Sequence, residues 1–456
     1  MVERLPMRNL AKSALTFPWA VSMFGVQQIS NLMSSPSARS VADLTAALDD
    51  VTRATEQHLA GWAEQTYAVG SAVQRGLIDT MMLKPPSIDT SAIMRTMAEQ
   101  QSTPLFQAML DYVAPPVAWL DSLLVSRRDS PAVLQEFANK LYIIQLVTQV
   151  HDLGHDASNE SLTALVDRAA NRETFPRLWV VEGLGNYFGD RALVRTPGGD
   201  PAGLLTDSTL AGLPPYSLTM LHAGIGMSFA KAVLKGLEPD TPAGTVRDVI
   251  ARFVSLCRTS SRPGYAGAAL ESLGLATRTL YPNLVALMDR EIPQVEPVLQ
   301  DYFWHGVGRA MYFDPMNLLP SVNAPWRMIT KLDAETPHDL AYRNALSGMS
   351  WAIALVNMRH PGVMEAFLRH HGAFLAEHDI FSDGVTSALM MRYDTTRDDA
   401  NIDPFVHHAP DRTEPAAAWW RRLITEPCER ALQVTYGELL GAGSLEQLFH
   451  YRPGSL

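Results

Sequence analysis

The chain has 456 residues, of which 47% are hydrophobic and 19% charged, with a formal net charge of −11. Its length admits about two or three domains or one long repeat array. The low charged fraction argues against long disordered tracts, and an acidic chain with no clustered basic patch is not built to bind nucleic acid. Two cysteines, Cys257 and Cys428, exclude a disulfide framework and a cysteine-rich zinc site.

The stretch Ser13 to Ala38 carries no charge. Its apolar part, Ala14 to Val26, holds Pro18 and falls short of the ~20 residues a membrane-spanning helix needs. Arg4, Arg8 and Lys12 in front of it give it one mark of a signal peptide, but Pro36 spoils the cleavage end before Ala38. Residues 1–38 therefore read as an interfacial segment or one docked on the protein itself. Trp19 and Phe24 beside polar residues suit a surface that meets lipid or another apolar phase. The string Phe17-Pro-Trp-Ala-Val-Ser-Met-Phe-Gly-Val-Gln-Gln28 resembles the opening of phasin-like proteins, which coat storage granules. That resemblance implies binding to an apolar surface.

Residues 39–128 read as a helical N-terminal region. Val41, Leu44, Leu48, Val51, Leu59 and Trp62 follow one helical face within Ser40 to Met82. Pro85-Pro86 and Pro115-Pro116 mark loops or kinks. Ser130-Pro131 predicts an N-cap followed by proline at the first helical position. The helix from Ala132 is expected to stop near Gly154. The string His151-Asp-Leu-Gly-His155-Asp156 has the His-Asp step of metal-dependent phosphohydrolases, but a helix C-terminus, where histidine favours the dipole, accounts for it.

Residues 129–394 are organised by a repeat. Gly183, Gly224, Gly267, Gly306 and Gly348 follow one another at steps of 41, 43, 39 and 42 residues, and Gly384 lies 36 further on. A period near 41 falls in the window of α-helical arrays. Glycine inside a helix costs about 1 kcal/mol relative to alanine, so its recurrence needs a reason: small residues let helix backbones approach closely. Between the blocks lie amphipathic helices, the clearest carrying Val246, Val249, Ile250, Phe253, Val254 and Cys257, with Thr245 and Asp248 in capping-box form. No run shows sustained β alternation. The fold class is therefore all-α, built of α-α units of about 41 residues or packed as a multi-helix bundle.

Glu182-Gly-Leu-Gly185, His222-Ala-Gly-Ile-Gly226, Gly264-Tyr-Ala-Gly267 and Phe303-Trp-His-Gly-Val-Gly-Arg-Ala-Met-Tyr-Phe313 are similar to a bacterial family of unknown biochemical activity whose members occur in enediyne-polyketide biosynthesis clusters. The similarity spans about residues 175–356 and is firmest at Gly308-Arg309. Family members usually carry aromatic or small residues where this chain has Glu182 and His305. The resemblance implies secondary metabolism around a lipophilic chain and brings no mechanism.

The residues beside the glycines are polar in several copies: Glu182, His222, Glu271 and His305, with Arg309 one helical turn after His305. In a stacked array such positions share a face, and glycine-thinned helices leave a groove into which they would point. Glu182, His222, Glu271, His305 and Arg309 are thus the candidate acid–base residues, with Tyr312 as an added phenol. The opposing reading is that they hydrogen-bond neighbouring repeats, Arg309 with Glu271 as a structural pair. His222 and His305 alone are too few for a metal site, and no metal or cofactor is expected. His370, His371 and His378, and Asp403 with His407 and His408, read as solvated or structural. No phosphate-binding P-loop, dinucleotide fingerprint or Gly-x-Ser-x-Gly elbow occurs.

Residues 395–456 read as a polar linker up to 418 followed by a C-terminal helix to Tyr451, with Trp419-Trp420 as an interface anchor or docked back on the body. The expected function is that of an accessory or tailoring protein of polyketide-like metabolism, binding a lipophilic small molecule or acyl chain. The alternative is a non-catalytic scaffold on a membrane or storage-granule surface. The expected location is cytoplasmic, at the periphery of a membrane or granule.

Overall fold

The computed structural model describes residues 128–156, 161–170, 174–196, 200–313, 325–396, 399–410 and 415–454, all within the unit Ser122–Leu456. The interfacial segment expected over 1–38, the helix over 40–82 and the proline breaks that follow it lie outside these residues.

Among the described residues there is no strand. The longer helices are α1 (Ser130–Asp156), α2 (Leu162–Ala170), α3 (Thr174–Arg195), α4 (Pro215–Leu234), α5 (Ala243–Ser260) and the short α6 (Ala266–Leu270), which abuts α7 (Ser272–Leu280) at Glu271. They continue as α8 (Val285–Glu291), α9 (Leu299–Phe313), α10 (Pro325–Glu335), α11 (Asp339–Asn357), α12 (Pro361–Leu375) and α13 (Ile380–Thr395). The chain ends in α14 (Ile402–Val406), α15 (Pro415–Trp420), α16 (Glu426–Arg430) and α17 (Tyr436–Gly441), the last three joined by π-helical turns Arg421–Thr425 and Ala431–Thr435. Pro427, in the first turn of α16, has no N–H to donate, and such wide turns re-register the backbone around a missing bond.

Two kinds of helix follow from two kinds of sequence. On α5, Val246, Ile250, Phe253, Val254 and Cys257 are buried, while Arg247, Asp248 and Arg252 are exposed. It lies on the outside, with one face inward. On α4, α11 and α13 nearly every residue is buried, so these helices have neighbours on all sides. α4 is long and apolar enough to cross a membrane, and 83% of its apolar window is buried within the protein itself.

The glycines set the spacing of the inner helices. A Cβ built on Gly185 of α3 would fall 2.4 Å from the Leu221 carbonyl oxygen, and one on Gly224 of α4 would fall 2.0 Å from that of Glu182. Gly226 meets Ala269 of α6 in the same way at 2.3 Å. Gly274 of α7 meets Phe303 at 1.8 Å, and Gly306 of α9 meets Glu271 at 2.2 Å. Gly308 meets Ala345 at 1.9 Å, Gly348 of α11 meets His305 at 2.0 Å, and Gly384 of α13 meets Ser347 at 2.3 Å. α3, α4, α6 with α7, α9, α11 and α13 thus form a row in chain order. Successive glycines two apart, as in Gly224-Ile-Gly226 and Gly306-Val-Gly308, lie about 200° apart around a helix and serve the two neighbours separately. The room left by the missing side chains is filled by backbone, so these glycines do not open the groove the sequence suggested.

Side-chain bonds give the directions. Asn344 donates to Asp301 at 2.9 Å and Asn357 to Tyr312 at 2.8 Å, so α9 and α11 run the same way. Thr219 near the start of α4 donates to Asp394 near the end of α13 at 3.4 Å, so the second helix of the row meets the last.

Several local expectations are corrected. α1 spans Ser130–Asp156 and ends two residues past the stop expected near Gly154. Thr245 lies inside the first turn of α5, whose N-cap is Pro242, so the capping box does not form. Gly267 faces the Glu446 carbonyl oxygen at 2.4 Å and the Tyr302 ring of α9 at 2.6 Å rather than the backbone of another helix of the row. The stretch 395–418 is no free linker: Asp399 is buried against Arg392, and Ile402, Phe405 and Val406 are in the core. The C-terminal helix stops at Gly441, and a tight turn, Leu445–Phe449, follows. Trp420 is buried and its indole donates to the Val406 carbonyl at 3.4 Å, which docks that helix on the body.

The turn 445–449 enters the core. Leu445, Leu448 and Phe449 are buried, and Glu446 N–H donates to the Gly264 carbonyl at 2.8 Å. Beyond it, Tyr451 N–H donates to Asn344 at 2.8 Å and Arg452 pairs with fully buried Asp383 at 3.1 Å. The segment is held by α11 and α13 at both its backbone and its charges.

Candidate functional site

Glu271, His305 and Arg309 meet because Gly274 and Gly306 let α7 and α9 touch backbone to backbone. His305 and Arg309 are four residues apart on α9 and present the same face. His305 Nδ1 lies 2.6 Å from Glu271 Oε1, and Arg309 Nη1 donates to Glu271 Oε2 at 2.5 Å. Arg309 Nη2 reaches back to Glu182 Oε1 of α3 at 3.4 Å. The guanidinium carbon sits 4.5 Å from the centre of the Trp351 ring of α11. The His305 ring meets the same indole edge-on, with centroids 6.3 Å apart, and Phe449 of the C-terminal turn lies against it at 6.1 Å.

This cluster is enclosed. The side chains of His305 and Glu271 have no exposure, Arg309 has 3% and Glu182 16%, so Glu182 is the member nearest the outside. Burial alone would push the Glu271 carboxyl up; the Arg309 charge and the His305 bond outweigh it and hold it below its ordinary value. Glu182 goes the other way. Burial raises it, the Glu271 charge adds to the rise, and Arg309 only partly offsets them. Burial opposes the charge on Arg309 but the two carboxylates more than restore it. The set thus contains an ionised Glu271, a cationic Arg309 and a Glu182 that takes up its proton more readily than an ordinary glutamate. With Glu271 ionised, His305 donates Nδ1–H to it, and in the neutral ring Nε2 then carries the lone pair.

Of the five residues expected to act together, the structure brings four into one cluster and leaves His222 outside. The His222 ring is consumed by local bonds: Nδ1 lies 2.7 Å from the Leu218 carbonyl, and Nε2 accepts the Arg262 N–H at 3.0 Å. The ring stacks on Tyr265 at 5.3 Å, and burial pushes its pKa down to about 4. It anchors the loop before α6. Tyr312 also points elsewhere. Its hydroxyl accepts from Asn357, its ring lies under Lys140 at 3.9 Å, and Lys140 pairs with buried Glu136 of α1 at 2.9 Å. Asn139 closes that second network on Asn357 at 2.9 Å.

His370 pairs with Asp129 at 3.2 Å, His371 with the Trp326 carbonyl and His408 with Glu365 at 3.0 Å; each serves packing between elements. His407 is half exposed beside Asp403. Among the described residues no three His, Cys, Asp or Glu side chains are grouped to hold a metal.

The residue that sequence reasoning missed is Trp351. A signal existed: Arg309 follows Gly306 by three positions, and Trp351 follows Gly348 by the same three. Equivalent positions on adjacent helices of the row therefore stack on each other. Phe449 had no such signal, since nothing local ties the C-terminal turn to the fourth and fifth glycine blocks.

The chain matches no family model, no curated protein and no solved structure.

Proposed function

We propose that Glu271 and His305 form a general-base pair acting on a lipophilic small molecule, and that the protein is a tailoring component of polyketide-like or acyl-chain metabolism. The observation that carries this reading is His305 Nε2, which is buried and has no hydrogen-bond partner. A buried acceptor left unpaired costs about 1–3 kcal/mol. That cost is understandable where the lone pair is kept for a substrate proton. Glu271 fixes the tautomer and would stabilise the imidazolium formed on proton uptake, the role a carboxylate has behind a histidine base. Arg309 holds Glu271 ionised, and Glu182, disposed to keep its proton, supplies an acid in the same cluster. The Trp351 and Phe449 rings against the cluster favour a lipophilic substrate, in line with the enediyne-cluster resemblance.

The test is His305→Gln in the organism that makes the protein, followed by comparison of its small-molecule extracts with the parent strain. Glutamine keeps a donor for Glu271 but removes the base. The expected result is loss of a product and accumulation of its precursor, with the melting temperature of the purified variant close to that of the parent. An unchanged metabolite profile from a folded variant would overturn the reading.

A further inference from the structure

We propose that the nitrogens around the Trp351 indole bind the carboxyl group of a lipophilic monocarboxylic acid. The inference rests on taking the Glu271–His305 cluster as the functional site, and it names the polar end of what binds there. Three nitrogens in this one contact cluster are buried and without a hydrogen-bond partner: His305 Nε2, Trp351 Nε1 and Arg309 Nε. The residues that carry them are 0%, 1% and 3% exposed. Trp304 donates its indole N–H to Asp289 at 2.7 Å and Trp420 to the Val406 carbonyl. Unmet nitrogens occur elsewhere in the core, as at Arg452 Nε, but here three fall within one contact cluster.

The inventory of unmet groups points to the ligand. Trp351 Nε1 and Arg309 Nε are donors, while His305 Nε2 is an acceptor in the neutral ring whose Nδ1–H goes to Glu271. A carboxylic acid offers the complement, with oxygens that accept and one O–H that donates. The site is too enclosed to favour a bare anion. A carboxylate in neutral solution therefore binds with uptake of one proton, held between the acid and His305 Nε2. The charged and titratable groups facing that proton are Glu271 and Arg309 in direct contact, Glu182 beyond Arg309, and His450 of the C-terminal segment, which feels the charge of His305.

The probe is decanoic acid, titrated into the full chain by calorimetry between pH 6 and 8 in buffers of different ionisation enthalpy, with decanol as the control. The expected result is one equivalent bound, uptake of about one proton, and an affinity that falls about tenfold per pH unit, as linkage to a ligand deprotonated across this range requires. Decanol should bind at least about tenfold more weakly, a difference of 1.4 kcal/mol. Trp351→Phe, which removes only the indole N–H and keeps an aromatic ring, should weaken decanoic acid several-fold, and His305→Gln should abolish proton uptake. If His305→Gln does not fold, Trp351→Phe carries the test alone. Absence of binding, equal binding of decanol, or binding indifferent to both substitutions would overturn the proposal. Failure here with an altered metabolite profile for His305→Gln removes the carboxylic acid and leaves the general base. Binding as expected with an unaltered profile removes the general base and leaves the acid site.

Discussion

Gly308 and Ala345 are in backbone contact: a methyl group added to Gly308 would fall 1.9 Å from the Ala345 carbonyl oxygen. The carbonyl belongs to a helix and cannot yield as a side chain would. Gly308→Ala is expected to lower stability by about 3 kcal/mol through overpacking. Gly437, on α17, has nothing within 4 Å of an added Cβ. Gly437→Ala should instead stabilise by about 0.5–1 kcal/mol, the ordinary helix preference. Denaturant titration of the two variants reads the opposite signs, and a neutral Gly308→Ala would contradict the close approach.

Arg309 neutralises the buried Glu271 carboxylate at 2.5 Å and reaches Glu182 at 3.4 Å. Arg309→Met is expected to cost about 3–5 kcal/mol, because it removes the cation that keeps the buried Glu271 ionised and leaves that carboxyl with the His305 bond alone. Adding Glu271→Gln to that variant should recover part of the loss, so the double-mutant cycle shows strong coupling. Additive losses would mean that the two side chains do not share a network.

His222 ties stability to pH. Its folded-state pKa is about 4, below the unfolded value of about 6.5. The unfolded chain therefore binds the proton first as pH falls. The contribution of His222 is complete above about pH 6.5 and lost progressively down to pH 4, amounting to roughly 3 kcal/mol. Unfolding free energies measured across that range should show a shallower slope for His222→Asn than for the parent; equal slopes would exclude the assignment.

Phe449 is 2% exposed and lies against Trp351. Phe449→Ala is expected to cost about 3–5 kcal/mol and to change the tryptophan emission, since it uncovers the indole that Arg309 and His305 share. A variant with parental stability and emission would show that the C-terminal turn does not seal this cluster.

Much of the helical row was legible because its signal is local and repeated. Glycines at Gly224, Gly226, Gly306 and Gly308 occur where two neighbours must each be approached, and a spacing of two on a helix faces two sides. The polar residues beside them were legible for the same reason. Which of them would meet was not. His222 and His305 occupy similar places beside their glycines, yet the Arg262 N–H claims one ring and Glu271 orients the other.

The sequence by itself determined an all-α chain, the recurrence of small residues at about 41 positions and the inward place of Glu182, Glu271, His305 and Arg309. These depend on helical periodicity and on the cost of burying polar groups, which are properties of short stretches. Only the tertiary structure decided that the gaps left by glycine are filled with backbone, that Trp351 lies beneath Arg309, and that Phe449 closes the cluster from the far end of the chain. Those contacts join segments about forty to more than a hundred residues apart, and no local preference specifies which distant surface a buried ring or charge will meet.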